Sequence, residues 1–155
     1  MSDNSATWRQ AFDLLCHERI GYGMSRSVFN SKLLPDCVVK VEETPGRFQN
    51  VVEWETWQRV KDTEFSRWFA ACRWISPNGS ILIMERTRQP APSEFLDLMP
   101  AFLCDFKRTN YGMLPPGPSR TGKADFLVCH DYGTHLMFEN GMTKRMRKAN
   151  WWNEE

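Results

Sequence analysis

No stretch of the chain approaches the roughly 20 apolar residues that a helix needs to cross a bilayer. No charge of one sign dominates either, since 20 Lys and Arg stand against 19 Asp and Glu. The first absence argues against a membrane span. The second argues against a dedicated nucleic-acid binder, which carries a basic excess or a basic face. There is no Cys-x-x-Cys pair, and the five cysteines, Cys16, Cys37, Cys72, Cys104 and Cys129, are odd in number and widely spaced. That pattern offers no zinc site and reads as small core residues. The first residues, MSDNSATWRQAF, lack the basic segment and apolar core of a signal peptide, so a cytoplasmic protein with reduced thiols is expected. Internal repeats are lacking too. What is present is the composition of a globular chain: 155 residues, 41% hydrophobic and 25% charged, with seven Trp and ten Phe to build a core. The length fits one domain with a tail.

The pattern of elements predicts an α+β fold. Asn4 or Ser5 caps a first helix with Trp8, Ala11, Phe12 and Leu15 on one stripe, ending near His17. Short extended runs follow, the clearest being Val38-Val39-Lys40-Val41, where β-branched residues favour a strand. RFQNVVEWETWQRVK is a helix. Trp68 to Ile75 and Ser80 to Met84 form strands joined by the turn Pro77-Asn78-Gly79. Helix, antiparallel strands, helix and hairpin show no βαβ alternation. The second half is more broken. RTRQPAPSEF reads as a linker into a short helix capped by Ser93 and stopped by Pro100, and LPPGPSRTGK as an exposed tongue before a strand from Phe126 to Cys129. MTKRMRKANWWNEE reads as a solvated terminal helix whose Trp151 and Trp152 dock on the core. Its basic cluster, Lys144, Arg145, Arg147 and Lys148, is alternatively a contact surface for an acidic partner.

Four motifs carry chemistry. In Gly21-Tyr22-Gly23-Met24-Ser25-Arg26 the paired glycines allow close approach to a phosphate, although two nearby glycines are more often only a hairpin. Lys40 sits inside a β-branched strand and precedes a helix containing Glu53 and Glu55. Glu53 shares a helical face with Trp57 and Val60, so it points inward and needs a partner, for which Lys40 is the economical choice; Glu55 faces solvent. Asp105, Lys107 and Asn110 make an Asp-x-Lys-x-x-Asn loop, and Asp131 ends an apolar strand ahead of Tyr132 and Gly133. Singly, the glycines, the Asp105 loop and Asp131 are compatible with ordinary turns, and Lys40 with an edge-strand lysine facing water.

In this order the motifs resemble the protein-kinase signature set of glycine loop, strand lysine, helix glutamate, catalytic loop and magnesium motif. The glycine-loop and lysine-strand region looks most like that of small bacteriophage serine/threonine kinases. The resemblance implies a kinase-like α+β fold. An antiparallel N-lobe sheet with its helix would cover about residues 1–86 and a reduced C-terminal lobe about 87–141, followed by a basic, Trp-bearing tail, 142–155. It implies ATP and Mg2+ as ligands. Gly21, Gly23 and Ser25 would cover the phosphates, and Lys40, paired to Glu53, would bind them. The backbone from Met84 to Thr87, with Glu85, would form the hinge that holds adenine. Asp105 would take the proton of the attacking hydroxyl, Lys107 would steady the transferring phosphate, and Asn110 and Asp131 would hold the metal. A protein substrate or partner in a host cytoplasm follows from the same resemblance, with neither nucleic acid nor membrane. Aminoglycoside-type kinases share the Asp-x-x-x-x-Asn loop, and a pseudokinase that only binds a partner is the alternative to an enzyme. Three departures stand out. Leu103-Cys104 replaces the usual His-Arg, Arg26 replaces the third loop glycine, and 22 residues follow Gly133, where kinases carry an activation segment and further helices.

Overall fold

The computed structural model describes residues 5–23, 25–133 and 141–155, apart from the side chains of Ser5 and Trp8. The expected cap at Asn4, the Trp8 side chain, Met24 of the glycine motif and residues 134–140 of the reduced lobe therefore lie outside the described residues. The fold is mixed α+β, and the chain forms two compact units. One comprises Met1–Trp54 and Cys72–Arg86, the other Glu55–Ala71 and Thr87–Glu155. Residues 55–71, placed by the sequence with the first lobe, group with the second unit.

The first unit is built on a five-stranded antiparallel sheet, in which β1 (Arg19–Tyr22), β2 (Arg26–Asn30), β3 (Cys37–Glu42), β4 (Cys72–Ile75) and β5 (Ile81–Glu85) run in the order β1-β2-β3-β5-β4. The period-two alternation of β3 divides its side chains between two faces. Cys37 and Val39 join Cys16 and Ile83 in one apolar cluster, with Leu15, Phe29 and Val41 packed against it. Lys40, between them, points to the opposite face. Helix α1 (Ser5–Leu15) contributes Leu15 to this cluster, while Phe12 meets Phe29 edge-on at 5.9 Å and stays half exposed. The expected stripe is thus narrower than the spacing indicated, and Ala11 is exposed. In the β4–β5 turn, Gly79 adopts φ +75° and the Asn78 carboxamide oxygen accepts bonds from the Ser80 amide and the Ser76 and Ser80 hydroxyls. The predicted first strand of this hairpin begins late. Residues Glu64–Trp68 form a 3-10 helix capped by Thr63, so the strand starts at Cys72 rather than Trp68.

Helix α2 (Gln49–Val60) follows β3. Asn50, Glu53, Trp57 and Val60 are all buried, which is the i, i+3, i+7, i+10 stripe of one helical face; Glu55 is exposed, as its polar neighbours require. The Glu42 carboxylate accepts the Asn50 amide at 3.1 Å, a negative group at the positive end of the helix. The residue before the helix, Phe48, has φ +56°.

In the second unit β7 (Tyr111–Leu114) and β8 (Phe126–Cys129) form an antiparallel hairpin whose connection is the exposed tongue, although Arg120 tucks back, buried, onto the Pro115 carbonyl. Three expectations fail here. Pro92–Glu94 is a single 3-10 turn entered from Ala91, so Ser93 lies within it rather than capping a helix. Pro100 stops no helix, because Leu98–Pro100 is strand β6. The terminal segment is not helical: Met146–Lys148 is strand β9, antiparallel to β6. Pairing with β6 decides this, because local charge density carries no information about a strand partner 48 residues earlier. Trp151 packs among Phe95, Phe106 and Tyr111 at 4.8–5.3 Å, whereas Trp152 remains half exposed. Four cysteines are buried, Cys104 is exposed, and none forms a disulfide.

Candidate functional site

A buried polar cluster of the first unit surrounds the Glu53 carboxylate, which is fully buried. Lys40 Nζ donates to both carboxylate oxygens, at 2.9 and 3.2 Å. The strand register explains the approach. Lys40 stands on the face of β3 opposite the apolar cluster and between Val28 and Leu82 of its neighbours, so its stem is packed and its ammonium is directed at α2. Arg26 reaches the same carboxylate with a two-pronged contact, Nη1 at 2.8 Å and Nη2 at 3.0 Å, and its Nη1 also donates to Asn50 Oδ1 at 3.1 Å. Asn50 in turn donates to the carbonyls of Lys40, Gly79 and Ser80, each at 3.1 Å. Burial pushes the Glu53 carboxyl up, but the charges and hydrogen bonds of Arg26 and Lys40 outweigh it and hold the group at about 2.

Arg26 is the participant that spacing alone missed. It registers in the sequence only as a departure, an arginine where the resemblance expects a glycine. The available signal was the strand period: Arg26 faces Glu42 and Val28 faces Lys40 across β2–β3, which puts Arg26, Val28 and Lys40 on one face.

The glycine motif lies on β1 and the turn into β2. Gly21 opposes Val28, and the Gly23 amide donates to the Arg26 carbonyl at 2.7 Å. Neither glycine adopts a left-handed φ, and a side chain at Gly23 would meet nothing within 4 Å. The described fold itself does not require glycine at position 23. Ser25 is buried, and its carbonyl accepts the Glu43 amide at 3.0 Å. Glu85 ends β5 opposite Cys37, with Arg73 on its carboxylate at 2.9 Å.

The remaining candidates lie in the second unit. Asp105 is fixed by two bonds: its Oδ1 accepts the Lys107 amide at 3.3 Å and its Oδ2 accepts Asn110 Nδ2 at 3.0 Å. Asn110 ends a 3-10 turn, Arg108–Asn110, and leads directly into β7. Its carbonyl accepts the amides of His130, at 2.9 Å, and Asp131, at 3.3 Å, so the Asp105 loop and the Asp131 turn are joined through Asn110. His130 bridges further, one ring nitrogen 2.8 Å from the Thr109 carbonyl and the other 2.8 Å from the Thr87 hydroxyl. Gly112 is needed beneath this bridge, because a Cβ there would collide with Thr87. Tyr132, in the place of a phenylalanine, is fully buried edge-on to Phe69 at 5.0 Å, and its hydroxyl donates to the Ala70 carbonyl at 2.8 Å. That bond gives the hydroxyl a use in the interior. Lys107 is half-buried and forms an ion pair with Glu154 at 2.6 Å.

The structure thus brings Lys40 and Glu53 together in one unit, and Asp105, Lys107, Asn110 and Asp131 into neighbouring turns of the other. No group of three or more His, Cys, Asp and Glu side chains that could hold a metal occurs among the described residues, nor does any described helix have the length and apolarity to cross a membrane. No protein-family model matches the chain, and neither the curated proteins nor the solved structures compared with it include a match.

Proposed function

We propose that the chain is an ATP- and magnesium-dependent phosphotransferase of the protein-kinase-like class, acting on a protein. The observation that carries this reading is the buried ion pair between Lys40 and Glu53. A lysine on the third strand paired to a glutamate on the next helix is the arrangement with which protein kinases bind the phosphates of ATP. The five-stranded antiparallel sheet and the Asp105–Asn110 hydrogen bond support it.

In this reading Lys40 neutralises charge on the nucleotide phosphates while Glu53, itself oriented by Arg26, holds its ammonium in place. Asp105, held by Asn110 and the Lys107 amide, receives the proton of the acceptor hydroxyl as the terminal phosphoryl group passes to it and ADP leaves. Lys107 places a positive charge near that group. Phosphoryl transfer depends mainly on positioning and charge neutralisation, so these groups suffice in kind. Magnesium is a hard cation that keeps several waters and needs only one or two protein oxygens beside phosphate oxygens. Asn110 and Asp131 fit that demand, being oxygen donors on turns joined by the bond from the Asp131 amide to the Asn110 carbonyl. When bound, the ion would neutralise charge on the phosphates.

The pseudokinase-type alternative has its own observation. Arg26 and Lys40 together saturate Glu53 in a fully buried network, which a purely structural ion cluster would also show. Incubation with labelled ATP and magnesium decides between them. The enzyme incorporates label into a protein acceptor and Asp131→Ala loses it. Nucleotide at about 100 times its Kd should add about 2.7 kcal/mol of stability. Absence of transfer indicates the partner-binding module, with or without stabilisation by nucleotide, and a melting curve unmoved by millimolar nucleotide refutes the phosphotransferase reading.

A further inference from the structure

The Asp105 loop is covered by the chain's own C-terminal segment. Two backbone bonds bracket Lys107: the Trp152 amide donates to the Phe106 carbonyl at 3.1 Å, and the Arg108 amide donates to the Trp152 carbonyl at 2.9 Å. The Trp152 ring lies 5.7 Å from the Lys107 ammonium. Trp151 anchors the segment, with its ring wedged between Phe95, Phe106 and Tyr111 and its indole N–H on the Leu96 carbonyl at 2.8 Å. Upstream, Arg147 lies over Phe106 and donates to the Leu103 carbonyl at 2.7 Å. Beyond this anchored stretch comes Glu154, whose carboxylate sits 2.6 Å from Lys107 Nζ yet is 70% exposed.

We propose that Lys107, beside the Trp152 ring, forms an oxyanion site that Glu154 occupies in the free chain, and that a phosphoryl group displaces this carboxylate. The identity of that phosphoryl group as the one transferred rests on the phosphotransferase reading; the site itself does not. Its parts suit the exchange. The shelf is rigid because Trp151 and the backbone bonds fix it, whereas the occupant is attached through Asn153 and faces water, so it leaves without unseating Trp151. An ion pair this exposed biases an equilibrium by about fivefold at most. A phosphoryl group offers the same ammonium more charge and more acceptor oxygens, and charge-assisted bonds of that kind are the stronger. Glu154 therefore acts as a weak internal competitor at Lys107.

The test titrates inorganic pyrophosphate into the full chain and follows the Trp152 indole and Lys107 ammonium resonances. Glu154→Gln should bind pyrophosphate at these resonances about three- to fivefold more tightly than the wild type. Glu155→Gln, which removes the neighbouring charge, should match the wild type, and Lys107→Gln should show no displacement of the Trp152 signal. Equal affinities for wild type and Glu154→Gln, or no displacement in either, overturn the proposal. Transfer from labelled ATP is measured on the same proteins. Absence of transfer in all of them refutes the phosphotransferase reading while leaving a difference in pyrophosphate affinity intact.

Discussion

Removing both cations from the Glu53 carboxylate should reverse the sign of the protein's pH dependence. In the wild type the carboxyl is held at about 2, below the ordinary 4.5, because Arg26 and Lys40 outweigh the burial that pushes it up. A group whose folded value is depressed contributes stability that is present above its unfolded value and lost as the pH falls toward the folded one. At 1.36 kcal/mol per pH unit the contribution is about 3 kcal/mol, lost between about pH 4.5 and 2. Arg26→Met leaves Lys40 bonded to both oxygens, so the slope keeps its sign and the cost is about 1.5–3 kcal/mol, as for a hydrogen bond to a charged group. The double variant Arg26→Met, Lys40→Met strands a fully buried carboxylate. Desolvation then raises its value above 4.5, and stability falls as the pH rises through that range. Urea unfolding of wild type, both single variants and the double variant between pH 3 and 7 measures this (a range set by where the group titrates). Glu94, drawn down to about 2 by its bonds from Arg88 and the Ala91 amide, titrates equally in all four proteins and cancels in the differences. A double variant that still gains stability with pH at the wild-type slope would refute the account of Glu53 as a buried, doubly paired carboxylate.

Further expectations follow from single sites. Asp105→Asn keeps the Asn110 contact's shape while removing the base, so transfer should fall by about 10²- to 10⁴-fold with nucleotide affinity unchanged; equal rates would remove Asp105 from the mechanism. Tyr132→Phe deletes the hydroxyl that donates to the buried Ala70 carbonyl and should cost about 1 kcal/mol in denaturant unfolding; no change would mean that the carbonyl finds another donor. Phe48→Gly relieves a φ of +56° on a residue whose ring is 60% exposed. It should stabilise by about 1 kcal/mol, raising Tm by about 2–4 °C; a lower Tm would show that the ring contributes more than the backbone strain costs.

Local chemistry in the sequence determined most of the first unit. The β-branched run at Val38–Val41 dictates a strand, and Asn78-Gly79 dictates the turn that carries Ser80 back into β5. The shared face of Glu53, Trp57 and Val60 dictates which glutamate points inward, because a helix repeats every 3.6 residues whatever surrounds it. Asp105 to Asn110 is legible as well, since the two side chains meet within a single turn. Only the tertiary structure decided what is non-local. Arg26 comes to Glu53 because antiparallel pairing of β2 with β3 places it on the lysine's face, and cross-strand register depends on two segments at once. The basic C-terminal segment is charged enough to read as a solvated helix, yet β6 captures it as β9 and Trp151 finds a pocket of three aromatic rings. Pairing and burial with a distant segment there override local preference, for β propensity and helix propensity are both weak beside tertiary packing. For the same reason the contact between Glu154 and Lys107 is invisible in the sequence: 47 residues separate the two side chains.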